Sequence, residues 1–223
     1  MIPKSDIRQG DRWAKYLEEM GWKSHRTSNG TNIYHTKTFL GSVIKIQRPP
    51  LLSEKDLQEI ESYCLPLKPL FIKIEPFIGQ EVSILERAGY KESSEPLIPS
   101  STIYIDLTKS EADLWNSISH SGKYSIRRAQ REGTVTRFYQ NPLEERLPEY
   151  FNLVKETGKR KRFYVQPMKD FIAKVKIYGK NCHLVTSYDQ KGTLLSGKFY
   201  LCHDEMVLYS TGGTSEAGLK TKA

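Results

Sequence analysis

The sequence predicts an α/β fold of the α+β kind, built as two domains with mixed sheets, residues 1–107 and 108–223, the second incomplete. Three observations predict it. Apolar spacing switches repeatedly between the period of a helix and that of a strand. Gly, Pro and capping residues divide the chain into two successive runs of elements, with a break near Leu107. At 223 residues with 38% apolar and 11% aromatic content, the chain can bury a real core in one large or two small domains.

In the first domain, Trp13, Tyr16, Leu17 and Met20 recur at helical spacing and stop at Gly21, a suitable helix-ending residue. Thr31 to Lys37 and Ser42 to Ile46 read as a hairpin around Phe39-Leu40-Gly41, after which Pro49-Pro50 breaks the ladder. Ser53 caps a helix whose apolar face is Leu57, Ile60 and Cys64. LFIKIEP is a strand ended by Pro76, Val82 to Ala88 a short helix stopped by Gly89, and TIYIDL a further strand. The order is αββαβαβ.

The second domain opens on a capping box, Thr108 to Glu111, ahead of Leu114, Trp115 and Ile118. After a break at Ser121-Gly122, KYSIRRAQREG reads as a basic helix ended by Gly133, with Ile126 and Ala129 facing inward. There follow a strand over 134–138, helices over 144–157 and 168–178, a strand over 182–188, a turn at Asp189 to Gly192, and strands over 194–202 and 206–211. Strand, two helices, then three antiparallel strands is the opening half of an acyltransferase fold of the GNAT type. The tail GGTSEAGLKTKA is polar and small, so the expectation is that it adds no helix and leaves MVLYST as an uncovered edge.

Composition narrows the function classes. No apolar run reaches the roughly 18 to 20 residues that cross a bilayer, and MIPKSDIRQG has no signal core, so the chain reads as soluble and cytoplasmic. The three cysteines, Cys64, Cys182 and Cys202, are too few and too odd for a disulfide framework. Cys182-His183 and Cys202-His203 pair Cys with His, but neighbours on a strand point to opposite faces, so no metal site is expected. The net charge is +8, and Ser121 to Phe163 alone holds eleven Lys or Arg against five acids. Such a band suits a polyanion or an anionic membrane surface, or else forms solvated helix faces.

RWAKYLEEMGWK, GSVIKIQRPP, FIKIEP, LERAGYKES, STIYIDLTKSEADLWNSISHSGKYSIRRAQREG, ETGKRKRF, LLSGKFYL and LYSTGGTSEAG follow one another along nearly the whole chain. In this order they resemble the FemA, FemB and FemX family of peptidoglycan interpeptide-bridge aminoacyltransferases. The resemblance implies two GNAT-like domains and transfer of an amino acid from aminoacyl-tRNA to the stem peptide of a precursor. It implies aminoacyl-tRNA and a lipid-linked or UDP-linked muropeptide as partners, no cofactor, and a cytoplasmic site with peripheral association at the inner membrane face as an option. The chemistry is aminolysis of an ester, which needs a positioned amine and carbonyl and donors for the oxyanion. The family continues into a helix, a YDFGG-like strand and a closing Phe-Lys pair, so the expectation is a C-terminally truncated member whose catalytic residues lie outside this sequence. The alternatives are a non-catalytic tRNA- or precursor-binding module, and a related transferase acting on protein N-termini.

Carried residue by residue, the resemblance makes Lys15 a phosphate contact, against an ordinary exposed lysine. Lys123, Arg127, Arg128 and Arg131 are the choices for tRNA or phosphate contact; spacing places Lys123, Arg127 and Arg131 on one helical face. Lys159 to Arg162 form a second basic run, with Arg160 and Arg162 as substrate contacts, although cations at a helix end also suit the macrodipole. Tyr209 is a substrate-contact choice, against a half-buried sheet tyrosine; Gly212 and Gly213 permit a tight loop after it. Where the family's nucleotide-precursor enzyme has an arginine before proline and then a tyrosine, this chain has Gln166 and Asp170. That change points to a different acceptor, or to Arg160 and Arg162 taking over.

Overall fold

In the computed structural model, which describes residues 5–99 and 101–223, the chain divides into two compact units meeting at Tyr104 and Ile105. Met1 to Lys4, part of the N-terminal segment read above for a signal core, lie outside the described residues.

In the first unit, helix α1 (Asp11–Glu19) buries Tyr16 and Leu17 and gives way to Gly21 at φ +86°, the left-handed conformation that glycine adopts at least cost. Strands β1 (Lys23–Arg26), β2 (Asn32–Lys37) and β3 (Ser42–Gln47) are antiparallel, and β4 (Pro69–Glu75) lies parallel to β3. A parallel step needs a crossover, and α2 (Glu54–Cys64) supplies it. Its start is a full capping box: the Ser53 hydroxyl accepts from the Asp56 amide while the Asp56 carboxylate accepts from the Ser53 amide. Ile33, Ile44 and Ile46 from the sheet pack against Leu57, Ile60 and Cys64 of α2, and Leu85 of α3 (Val82–Arg87) closes the cluster. The order β1-β2-β3-β4 thus makes a mixed sheet.

One expected element of this region is missing. TIYIDL forms no strand; Ile103 is 88% exposed, and Ile105 and Leu107 are exposed too. Alternation supplied strand character but no backbone to pair with, and Asp106 instead accepts from the amide and hydroxyl of Thr108, tying the chain into a turn. That use of Thr108 moves the helix cap to Ser110, whose hydroxyl accepts from the Asp113 amide ahead of α4 (Glu111–Ser117).

The second unit continues with α5 (His120–Arg131), β5 (Val135–Gln140), α6 (Leu147–Lys161), α7 (Met168–Tyr178), β6 (Cys182–Tyr188), β7 (Leu194–His203), β8 (Met206–Thr214) and α8 (Glu216–Thr221). The sheet runs β5-β6-β7-β8 and is antiparallel throughout. Tyr150 of α6, Phe171 of α7 and Phe199 of β7 form an aromatic core with centroids about 6 Å apart, so both helices cover one sheet face. Removing the Phe171 ring would cost about 3 to 5 kcal/mol by the usual cavity penalty. β8 pairs with β7 alone among the described residues. The tail does form a helix, contrary to expectation, because Ser215 accepts from the Gly218 amide, and Gly218, lacking a side chain, lies against the Leu195 carbonyl. No helix of the described residues is long and apolar enough to cross a membrane.

Candidate functional site

The basic helix begins earlier than its sequence suggested. Ser119, in extended conformation, breaks the chain between α4 and α5 and accepts from the Gly122 amide; Gly122 sits inside the helix because a methyl there would meet Ile118 at 2.7 Å. Lys123, Arg127 and Arg131 then fall on one stripe. Arg127 lies over the Trp115 ring of α4, 5.5 Å from its centroid, and Lys123 donates to the Asn116 carbonyl at 3.2 Å. Both contacts prop flexible cations in place while leaving Arg127 and Arg131 exposed. Arg128 is turned to another use, an ion pair with Glu132 at 2.7 Å. Ile126, expected to face inward, is 38% exposed, and no residue of α5 is buried.

The second set of candidates sits where α6 meets β8. Gly213 allows that approach by lacking a side chain, and both Gly212 and Gly213 lie within the strand rather than in the loop expected for them. A methyl on Gly213 would stand 2.9 Å from the backbone of Leu153, so only glycine lets the helix come this close. Three side chains of α6 then bond to β8: the Tyr150 hydroxyl donates to the Thr211 carbonyl at 2.9 Å, the Thr157 hydroxyl accepts from the Thr214 amide at 3.0 Å, and Arg160 donates to the Thr214 carbonyl at 2.6 Å. Arg160 is therefore half-buried and fastens helix to strand. Arg162 ends α6 in the left-handed region at φ 58° and is exposed, its guanidinium turned to solvent after the helix.

Tyr209 projects from the opposite face of β8. Register places it beside Tyr200, with ring centroids 5.8 Å apart, and its hydroxyl occupies the space over Gly212 that a side chain would fill, next to the aliphatic stem of Lys198. His183 and Phe138 stack at 5.2 Å on the same face. Phe138 and Tyr209 are exposed and His183, Lys198 and Tyr200 half-buried, so this face forms a half-open floor of aromatic rings beside the Lys198 ammonium. Burial lowers the Lys198 pKa from its ordinary value and raises that of Tyr209. Lys198 and Tyr200 were not singled out by sequence, and His183 was weighed there only as a metal ligand; their signal is the alternation 183, 185 and 198, 200, which puts them on the face of Tyr209.

Gln166 and Asp170 have a partner that sequence reading missed. Lys174 is 2% exposed, donates to Gln166 Oε1 at 2.7 Å, and lies one helical turn after buried Asp170. Desolvation lowers its pKa to about 8, and the Asp170 charge opposes the shift. An Asp170 held inside the unit beside an ammonium does not act as a lone charge repelling a diphosphate. The departure at these two positions is an internal polar cluster. Lys15, in the first unit, is exposed on α1 between buried Tyr16 and half-buried Ala14.

A model described as the FemAB family matches residues 78–189. Among solved structures, the crystal structure of FemX is similar with a TM-score of 0.74 and 15% identity, over 99% of this chain and 78% of that one. The structure of L-PGS from Bacillus licheniformis is similar with a TM-score of 0.55 and 14% identity, over 100% of this chain and 71% of that one. The C-terminal domain (DUF2156) of a putative lysylphosphatidylglycerol synthetase from Agrobacterium fabrum gives 0.55 and 10%, over 94% and 65%. At these identities the likeness is one of fold. No curated protein matches the chain.

Proposed function

Because the chain belongs to the FemAB family, we propose that it is a tRNA-dependent aminoacyltransferase that moves an amino acid from aminoacyl-tRNA to an amine on the stem peptide of a peptidoglycan precursor. The observation that carries this reading is the family match over residues 78–189, which contains the whole basic stripe of α5. In the reaction the amine nitrogen attacks the ester carbonyl carbon. A C–N bond forms, the C–O bond to the terminal ribose breaks, and the proton lost by the amine balances the one gained by the ribose oxygen. Nothing in that balance needs an enzyme-bound acyl group; it needs held reactants and donors for the developing oxyanion.

Lys123, Arg127 and Arg131 serve as phosphate contacts for the tRNA, where several cations on one face raise the local potential. Arg162, exposed beyond α6, serves as a contact for the precursor's phosphates. Tyr209, with Lys198 beside it, offers a ring to a sugar and a hydroxyl to the reacting group. Arg160 is assigned to holding α6 on β8 rather than to substrate.

The test is transfer of radiolabelled amino acids from a panel of charged tRNAs to UDP-linked muropeptide, lipid-linked muropeptide, phosphatidylglycerol and a peptide N-terminus. Label in either muropeptide is the expected result. Label in the lipid or the peptide alone would replace the acceptor. Binding of charged tRNA without transfer to any acceptor would leave a binding module in place of an enzyme.

A further inference from the structure

The first unit carries a second surface with a character unlike the α5 stripe. Between Met20 and Ser53 the sequence holds no Asp or Glu, while Lys23, Arg26, Lys37, Lys45 and Arg48 all fall within it. The β2–β3 hairpin stands in the middle of that stretch. Its turn is tight: the Thr38 amide and hydroxyl both bond to the Gly41 carbonyl, at 2.7 and 2.9 Å, and the Leu40 amide donates to the Thr38 hydroxyl. So fastened, the turn holds Phe39 and Leu40 outward; Phe39 is 95% exposed and Leu40 69%.

The neighbouring turn reinforces the tip. Lys68, left-handed at φ 51°, accepts through its carbonyl from the Ser42 amide and brings Leu70 against Gly41, where a methyl would stand 3.2 Å from the Leu70 side chain. Leu70 and Leu65 are themselves exposed, and Ser62 to Ile74 again contains no acid. Lys37 and Lys68 are exposed beside the apolar tip. Large apolar side chains at the point of a rigid, convex hairpin bury little against a flat protein face, and a protein partner would need a matching socket. A lipid interface needs none: it takes an apolar tip of any shape into its acyl boundary and pairs anionic headgroups with the flanking ammonium groups.

We propose that the β2–β3 tip, Phe39 and Leu40 with Leu65 and Leu70 behind them and Lys37 and Lys68 at the sides, is a docking surface for an anionic lipid bilayer. The surface shares no residue with those assigned to transfer, so the docking holds or fails independently of the reaction. Both parts of the signal are needed, because a few apolar side chains or a few lysines alone give weak, reversible attachment.

Sedimentation with vesicles tests it, using phosphatidylglycerol–phosphatidylcholine mixtures against phosphatidylcholine alone, at about 0.1 M salt, where surface charges still act over roughly 10 Å. The expected result is binding to the anionic vesicles only. Phe39→Ser with Leu40→Ser should lower the partition coefficient at least tenfold, and each of Lys37→Gln and Lys68→Gln by roughly fivefold. These side chains are exposed, so the variants keep the fold, which circular dichroism verifies. Because the α5 stripe could also draw the chain to anionic vesicles, an environment-sensitive dye on Leu40→Cys, in a Cys202→Ser background, reports which face inserts. A blue shift on adding anionic vesicles supports the docking. An unshifted dye, unchanged binding of the double serine variant, or no binding of the parent chain overturns it, as would capture of the tip by a protein with no affinity for vesicles.

Discussion

Replacing Lys174 with methionine tests the polar cluster of α7 most directly. The ammonium is buried at 2% exposure, bonded to Gln166 and opposed by Asp170, so its removal leaves a buried carboxylate and an amide oxygen without their cation. Breaking a buried pair from one side costs about 3 to 5 kcal/mol. Lys174→Met should lose that much in urea unfolding followed by circular dichroism. Lys174→Met with Asp170→Leu should regain most of it, since an apolar pair of similar volume is often as stable as the ionic one. The pH dependence provides a second reading. A lysine whose folded pKa is depressed to about 8 binds fewer protons folded than unfolded up to about 10.5, so stability should rise with pH across that window and be least favourable below it. Each tenfold change in proton affinity is worth about 1.4 kcal/mol, so the rise integrates to about 3 kcal/mol. Taken as the difference between the parent chain and Lys174→Met, it is freed of other lysines such as Lys45, whose pKa burial also lowers to about 8. A single variant as stable as the parent, with the same pH profile, would refute the cluster.

Three further outcomes are expected. Reversing Lys123, Arg127 and Arg131 to glutamate should weaken tRNA binding at least tenfold at about 0.1 M salt and lower the salt slope by roughly two to three, in filter binding, whereas Arg128→Ala should do little. Gly213→Ala should destabilise the chain by about 1 to 3 kcal/mol in urea titration, because the methyl meets the Leu153 backbone, which cannot yield as a flexible side chain would. Tyr209→Phe should leave stability within about 0.5 kcal/mol, the hydroxyl being near the surface, and reduce the rate of aminoacyl transfer in a single-turnover assay.

The elements that sequence alone made legible are those whose side chains carry a periodic signal and whose ends are punctuated. The hairpin from Asn32 to Gln47 and the capped helix after Ser53 are of that kind. Strand β1 was not, since Lys-Ser-His-Arg offers no apolar residue and its pairing with β2 rests on backbone alone. TIYIDL failed in the opposite sense, with strong alternation and no pairing strand among the described residues. In the site, the α5 stripe followed from spacing, but Arg160 looked like a ligand contact because its carbonyl partner, Thr214, lies far along the chain. Lys174 was passed over as one more lysine in a charged helix. Its position was nevertheless readable, for Phe171, Lys174, Val175 and Tyr178 lie at the i, i+3, i+4 and i+7 positions of one buried stripe.

The three bonds from α6 to the final strand also constrain motion. With the Leu153 backbone resting on Gly213 and Tyr150, Thr157 and Arg160 tethered along the same edge, helix and strand have no freedom to slide past each other. Helix and strand therefore behave as one rigid element, and Arg162, which ends α6, is carried on the same element as Tyr209 of β8.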